Sequence, residues 1–388
     1  MLIKKIGARK IKDSRGEFTI QVFVKPGFFW KFKTASPAGK STGKYEVKSY
    51  AKDLDEDIEV INNIDVEEIN ELEIEEFEDL KKLEKFLGNK IGGNSLYALE
   101  SSILKALANK KGKELFEFLN SNTRVLLRPV GNAIGGGLHS KGFGGKKPDF
   151  QEFLFIADGK TFSEMVEINN QAYKLTKRLL EAEERNDEGA WETHKTNEEV
   201  LKIMEIVKQR LKRQGMIVDI GIDCAASSFY KNKDYDYKNP PRKFDKQKQI
   251  KYLKFLIERF NILYVEDGLE ENDFTGFSIL NNKRQLIVGD DLTTTNPERL
   301  KQAIRMKSIN AIIIKPNQIG SLLKVKEVID IAKKNNIKTI ISHRSGETKD
   351  NTIADLGVGF NCDFIKTGIY GSVRKSKLKR VMRIEKKI

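Results

Sequence analysis

The order of apolar and polar positions divides the chain into two parts. Residues 18–24 and 30–34 alternate apolar and polar side chains around Pro26-Gly27, which predicts a β-hairpin. Over residues 54–87 the apolar positions recur with the period of a helix. A further helix is predicted over 94–110, and its apolar side would pack on the hairpin. These elements predict an N-terminal α+β domain over residues 1–124.

The segment 54–87 is strongly acidic. Its carboxylates recur at helical spacing beside apolar residues, which is typical of the solvated face of an amphipathic helix rather than of a metal site. The carboxylates in question are Glu67, Glu68, Glu71, Glu75, Glu76 and Asp79.

Beyond about residue 125, short apolar runs alternate with helical segments. Strands are predicted over 130–134 and 150–156, followed by helices over 162–181 and 197–214. Six more strands then follow, each separated from the next by enough chain for a return helix. They span residues 216–223, 262–267, 285–291, 311–317, 339–344 and 363–367. This period predicts a closed parallel βα barrel over residues 125–388.

Each of these six predicted strands has a polar or ionisable residue at its carboxyl end. The residues are Asp223, Glu266, Asp290, Lys315, His343 with Arg344, and Lys366. Any single one could be an ordinary surface residue, but a hydrophobic core does not explain six in succession with both signs of charge. Because the carboxyl ends of barrel strands meet on one face, we expect one pocket formed by all of them.

Three carboxylates at neighbouring strand ends would repel one another without a cation. Oxygen ligands favour a hard ion, so we predict a magnesium site at Asp223, Glu266 and Asp290. The surrounding cations suit a small anionic substrate that carries phosphate and carboxylate groups. A lysine acting as a base would need neighbouring cations to lower its pKa.

Length and composition agree with this division into two domains. The chain has 388 residues, and no apolar stretch approaches the roughly 20 residues of a membrane helix. The first residues lack the apolar run of a secretory signal, so a cytoplasmic location is expected. Cys224 and Cys362 lie far apart in apolar surroundings, which predicts two core residues rather than a disulfide or a zinc site.

The basic balance of the chain raises the question of nucleic-acid binding. The net charge is +14, but the basic residues are dispersed, and no stripe of interleaved aromatic residues is present. A nucleic-acid partner is therefore disfavoured, although the basic tail over 374–387 leaves that alternative open. The GKST string at 39–42 does not complete a P-loop, because Thr34 stands where that motif requires glycine.

Two features outside the barrel strands also carry expectations. His194, between two predicted helices, is expected to face solvent. The glycines at 135–137, just before His139, are expected to hinge a lid.

Several strings resemble the enolase family. They are VGDDLT at 288–293, IKPNQIG at 314–320, SHRSGET at 342–348 and IKTG at 365–368, with DSRG at 13–16, GKSTG at 39–43 and IDCAAS at 222–227. The resemblance runs from the first hairpin to the last strand. It implies an enolase-type ββαα(βα)6 barrel with an N-terminal α+β domain, and the magnesium-dependent, reversible dehydration of 2-phosphoglycerate to phosphoenolpyruvate.

The resemblance also implies a role for each matching residue. Lys315 would remove the C2 proton, Glu188 would act as the general acid, and Glu152 would assist it. Two magnesium ions are implied, the first at Asp223, Glu266 and Asp290 and the second, bound with substrate, at Ser41. His343 would also belong to the catalytic residues and close over the ligand. The substrate contacts would come from His139, Gln151, Arg344, Ser345 and Lys366.

Some positions depart from the family pattern. The loop at 37–41 carries Ala38 and Lys40 where serine and alanine are usual, and the spacing after His139 is longer than usual. The C-terminal pattern is changed over 371–377. Gln21 and Lys386 replace acidic residues of the family's dimer contact, so we expect a weakened or rearranged homodimer, since like charges oppose pairing. A catalytically impaired paralogue acting as an interaction or nucleic-acid-binding protein remains the alternative.

Overall fold

The structure, a computed structural model, describes residues 2–27, 30–40, 43–124, 127–142, 144–282 and 284–388. Its N-terminal part contains a three-stranded antiparallel sheet in the order β1-β2-β3. The strands are β1 Lys5–Lys12, β2 Phe18–Lys25 and β3 Phe32–Ala35. Five α-helices follow, which are α1 Leu54–Asn62, α2 Val66–Glu71, α3 Leu80–Leu87, α4 Gly93–Lys110 and α5 Leu115–Leu119.

Helix α4 joins this sheet to the rest of the molecule. It packs on β2 and β3, as expected from its apolar side, and also contacts the barrel, so most of the helix is buried. Strand β1 was not predicted, because Gly7 and its basic residues interrupt the alternation. A side chain at Gly7 would collide with the ring of Phe23, whose Cζ lies 2.5 Å from the position of the missing Cβ.

Eight strands form a closed barrel, in which the last strand along the chain pairs with the first. The strands are β4 Arg128–Gly135, β5 Glu152–Asp158, β6 Ile217–Asp223, β10 Ile262–Glu266, β11 Leu286–Gly289, β12 Ala311–Ile314, β13 Lys338–Ser342 and β14 Phe364–Lys366. The enolase-type barrel with an N-terminal α+β part is thus confirmed. The prediction that all strands of the barrel are parallel is wrong, because β5 runs antiparallel to β4 and β6. No return helix separates β4 from β5, so the chain reverses between them.

The barrel interior is a packed apolar core, to which Leu154, Tyr264 and Ile313 contribute. The outer layer consists of α6 Phe162–Leu180, α7 Asn197–Lys212, α8 Lys246–Phe260, α9 Phe274–Leu280, α10 Pro297–Arg305, α11 Pro316–Ile319, α12 Leu322–Lys334, α13 Thr352–Gly359 and α14 Ser372–Glu385. The strand predicted over 311–317 is too long, because α11 begins at Pro316, and proline suits the first turn of a helix.

A small sheet between β6 and α8 was not predicted. Its strands are β7 Tyr230–Lys231, β8 Asp234–Lys238 and β9 Pro241–Phe244. Tyr237 of this sheet packs against Tyr252 of α8, which holds it on the barrel.

Three smaller expectations can be compared with the structure. Cys224 and Cys362 are buried and unpaired, and His194 is exposed, as predicted. Among the described residues, no helix combines the length and the apolar character needed to cross a membrane.

Candidate active site

A cavity of about 360 Å³ opens at the carboxyl ends of the barrel strands. Eleven of the predicted site residues line it, namely His139, Gln151, Glu152, Glu188, Asp223, Asp290, Lys315, His343, Arg344, Ser345 and Lys366. Glu266 is fully buried and reaches this group through Lys366. Ser41 lies outside the described residues.

The barrel strands place these side chains as the strand-end pattern indicates. Asp223, Glu266 and Lys366 are the last residues of β6, β10 and β14. Asp290, Lys315 and His343 directly follow β11, β12 and β13. Residues far apart in sequence therefore share one pocket.

Lys366 lies among three carboxylates. Its Nζ is 2.9 Å from Asp223 Oδ2, 2.8 Å from Glu266 Oε2 and 2.8 Å from Glu152 Oε2. Burial alone would lower the pKa of Lys366, but these carboxylates raise it well above its ordinary value. Lys366 is therefore a fixed positive charge.

Lys315 forms an ion pair with Asp290. Burial opposes the charged form, yet Asp290 outweighs it and the pKa of Lys315 is raised. The expectation that neighbouring cations would lower this pKa is therefore wrong for this arrangement, because a carboxylate is the nearest charge.

The charge balance of the cavity suits a cation. Eight carboxylates and five lysine or arginine side chains line it, so an anionic ligand alone would meet excess negative charge. Two buried carboxylate oxygens, Glu266 Oε1 and Asp290 Oδ1, have no hydrogen-bond partner among the described residues. Burial and the neighbouring Asp290 raise the pKa of Asp291 to about 7. Oxygen donors of this kind fit a hard divalent ion.

The geometry also shows where such donors converge. Within the described parts of the chain, two groups bring one ligand atom from each member within 4.8 Å of one another. The first is Asp267, Asp290 and Asp291, and the second is His139, Glu152 and Glu188. The predicted trio of Asp223, Glu266 and Asp290 is not one of these groups, and its members instead contact Lys366 and Lys315.

Glu152 and Glu188 form a carboxyl pair on the other side of the cavity. Asn132 Nδ2 donates to Glu152 Oε1 at 2.9 Å and to Glu188 Oε2 at 3.3 Å. His139 Nδ1 lies 3.1 Å from Glu188 Oε1. Burial raises the pKa of Glu152 well above its ordinary value, whereas His139 and Glu152 outweigh burial and hold that of Glu188 low. The pair therefore keeps its proton on Glu152.

Arg344 is held in a fork by Glu46 of the N-terminal part. Its Nη1 lies 2.9 Å from Glu46 Oε2 and its Nη2 lies 3.0 Å from Glu46 Oε1. The loop that carries Ala38 and Lys40 is attached to the barrel beside Arg344, since Ala38 and Gly346 exchange two backbone hydrogen bonds of 2.8 and 2.9 Å. The N-terminal part therefore completes the cavity.

Sequence reasoning missed several residues of this site. Asp267 and Asp291 each adjoin a predicted ligand, so acidic doublets at strand ends were an available signal. Glu46 and Asn132 carry no such signal, because neither stands at the carboxyl end of a predicted strand. Arg374, which contacts His343, lies in the C-terminal helix.

Comparison with known proteins agrees with this geometry. Residues 3–119 match the family described as "Enolase, N-terminal domain", and residues 123–388 match "Enolase, C-terminal TIM barrel domain". The chain is 36% identical to the enolase of Thermoplasma acidophilum over 99% of this chain and 98% of the relative. It is 35% identical to that of Picrophilus torridus (100% and 99%) and 36% identical to that of Methanosphaera stadtmanae (100% and 97%). The fold, the cavity and these full-length matches together show that the chain belongs to the enolase family of lyases.

Proposed function

We propose that this chain is a phosphopyruvate hydratase, which converts 2-phosphoglycerate reversibly to phosphoenolpyruvate in glycolysis and gluconeogenesis and depends on magnesium. The observation that carries the proposal is the cavity itself. It is lined by a half-buried lysine, Lys315, and by a carboxyl pair, Glu152 and Glu188, that holds a proton. A base and an acid in one pocket are what a dehydration requires.

Asp223, Glu266 and Asp290 would hold the first magnesium ion, and Ser41, outside the described residues, would join the second. The unpartnered oxygens of Glu266 and Asp290 support this assignment. Bound magnesium supplies positive charge that stabilises the extra negative charge on the substrate carboxylate during the reaction.

The chain's own residues carry the proton transfers. Asp290 raises the pKa of Lys315, and Lys315 would lose this partner if Asp290 held the metal ion. In its neutral form Lys315 accepts the C2 proton of 2-phosphoglycerate, and the electron pair passes toward the carboxylate. The proton that Glu152 keeps passes to Glu188, and Glu188, as the acid, delivers it to the C3 hydroxyl, which leaves as water. The C2–C3 double bond of phosphoenolpyruvate forms in that step. The surplus proton on Lys315 then returns to solvent, and the carboxyl pair takes one proton back from solvent.

The remaining residues bind and orient the substrate. Lys366, fixed in its charged form, binds the carboxylate, and Arg344 with Ser345 binds the phosphate. His139, His343 and Gln151 close over the ligand. The alternative of an impaired paralogue gains no support from the comparisons, which find relatives named enolase along the whole chain.

The test is the ultraviolet absorbance of phosphoenolpyruvate on adding 2-phosphoglycerate to purified protein while magnesium is raised from zero. Lys315→Ala should lower the rate by about 10²–10⁴-fold, as for loss of a general base. Lys326→Ala, at a partly exposed position on α12 outside the cavity, is the matched control and should leave the rate unchanged. Absence of product from the native chain at every magnesium concentration would favour the impaired paralogue.

Exchange of the C2 proton separates the two assigned roles. In deuterated water, Glu188→Gln should still exchange the C2 proton while product formation is lost, because removal of that proton needs Lys315 alone. Lys315→Ala should lose both. Loss of exchange in Glu188→Gln and its retention in Lys315→Ala would reverse the assignment.

Three further expectations, on the domain boundary, the cellular location and the homodimer contact, belong to the same proposal. We propose that the domain division lies at residue 124, that the protein works in the cytoplasm, and that its homodimer contact is altered. The third is supported by Arg9, whose Nε and Nη2 lie 3.0 and 2.8 Å from Gln21 Oε1 of the same chain. A neutral amide therefore stands where an acidic partner is usual.

A further inference from the structure

Lys40 lies at the mouth of the cavity, on the loop that covers it. Its backbone N–H donates to Ser345 Oγ at 2.8 Å. Two residues earlier in the loop, Ala38 is paired with Gly346. The backbone of Lys40 is thus anchored beside a residue to which we assign phosphate binding.

The side chain of Lys40 has a weak partner. Its Nζ donates to Leu138 O at 2.9 Å and lies 3.4 Å from Asp187 Oδ2. The side chain is 45% exposed, and an ion pair this exposed contributes little to stability. Lys40 can therefore exchange this partner at little cost.

Three of the four other lysine and arginine side chains that line the cavity are held more firmly. The guanidinium of Arg344 forms an ion pair with Glu46, whose side chain is only 6% exposed. Lys366 is surrounded by three carboxylates. Lys315 is paired with Asp290. Lys40 differs from these three because its carboxylate partner is partly exposed and more distant.

Asp187 connects Lys40 to the acid pair. Asp187 Oδ1 lies 3.9 Å from His139 Nδ1, and the same nitrogen is 3.1 Å from Glu188 Oε1. One carboxylate therefore faces both Lys40 and His139. If the ammonium of Lys40 bound another anion, Asp187 would lose its ion pair with Lys40 and keep its contact with His139.

We propose that Lys40 is a further substrate-binding residue, whose ammonium leaves Asp187 to pair with the phosphate of the bound substrate and so releases Asp187 toward His139 and Glu188. The proposal rests on the proposed function, because it takes a phosphate monoester of a small carboxylic acid as the ligand. It gives Lys40 a role where the resemblance to the family offers none.

The first experiment compares Lys40→Met, which keeps the length of the side chain, with Lys40→Arg, which keeps the charge. Lys40→Met should raise KM for 2-phosphoglycerate about tenfold and change kcat less than about threefold, because a binding contact is lost. Lys40→Arg should restore most of the affinity. Lys48→Met, at an exposed position outside the cavity, is the matched control.

A second readout does not depend on turnover. Calorimetric titration with inorganic phosphate should show about tenfold weaker binding to Lys40→Met than to the native chain. Asp187→Asn should tighten phosphate binding about threefold, because Lys40 loses its competing partner. The same change in the Lys40→Met background should have no effect.

The outcomes separate this proposal from the proposed function. If the native chain turns over 2-phosphoglycerate but Lys40→Met leaves KM and phosphate affinity unchanged, Lys40 does not bind substrate. If turnover is absent while phosphate binding still depends on Lys40 and Asp187 as described, the site stands and the proposed reaction fails. A fall in kcat without a change in phosphate affinity would also overturn the proposal.

Discussion

Arg374 and His343 face each other beneath the cavity, with Arg374 Nη1 against His343 Nδ1. A guanidinium can only donate, so Nδ1 of the histidine is the acceptor and its proton lies on Nε2. Arg374 also donates to Arg344 O at 2.7 Å and to Ser345 O at 2.8 Å. One arginine, 1% exposed, therefore orients three successive residues of the site.

The first prediction concerns Arg374 as a positioning residue. Arg374→Met should lower stability by about 2–4 kcal/mol, because buried acceptors lose their donor. Burial and Arg374 together hold the pKa of His343 well below its ordinary value. Without the arginine this pKa should rise, and the acid limb of the kcat/KM profile should move to higher pH.

The control for this prediction lies two turns along the same helix. Arg380→Met removes ion pairs to Asp355 and Glu114 without touching the cavity, so it should cost stability and leave the pH profile unchanged. A profile that is identical in Arg374→Met and the native protein would reduce Arg374 to a purely structural role.

The second prediction concerns magnesium without substrate. At about 100 times its Kd, magnesium should raise the free energy of unfolding by about 2.7 kcal/mol, because it binds the folded chain. Asp290→Asn should lose most of this increment, and the surface variant Asp330→Asn should keep it. Thermal unfolding with and without magnesium measures the effect, and equal increments in both variants would place the ion elsewhere.

The third prediction concerns Glu100, which α4 buries fully against α12. Its Oε2 accepts the N–H of Leu322 at 2.7 Å, and burial, with Glu84 nearby, raises the pKa of Glu100 well above 4.5. The folded state therefore keeps a proton that the unfolded chain releases above about pH 4.5. Stability should fall as the pH rises from there toward the raised pKa.

Glu100→Gln isolates this contribution, since glutamine is neutral at every pH. The variant should match the native protein below pH 4.5 and exceed its stability at pH 8 by about 1–3 kcal/mol. Denaturant unfolding at several pH values measures the difference. If the two proteins lose stability with the same slope above pH 4.5, Glu100 is not the titrating group.

The fourth prediction concerns association. In the proposed homodimer, Lys386→Glu puts a carboxylate where Arg9 is expected to find its partner, so it should tighten the association about tenfold in sedimentation equilibrium. Lys379→Glu, exposed on helix α14, which ends just before Lys386, is the control and should have no such effect. A native dimer that is already tight and insensitive to salt would contradict the altered contact.

The sequence by itself determined the fold class and much of the candidate site. Strand period, helix period and short connections are local, so the six successive βα units and the polar residues that end their strands could be predicted. The convergence of those residues then follows from barrel geometry, in which all carboxyl ends of parallel strands share one face.

The tertiary structure alone decided which charges are partners. The sequence predicted Asp223, Glu266 and Asp290 as one group, but packing places Lys366 beside the first two and Lys315 beside the third. It also brings Glu46 to Arg344 across 298 positions. Ion pairs depend on distances of a few ångströms between segments remote in sequence, and no local pattern encodes those distances.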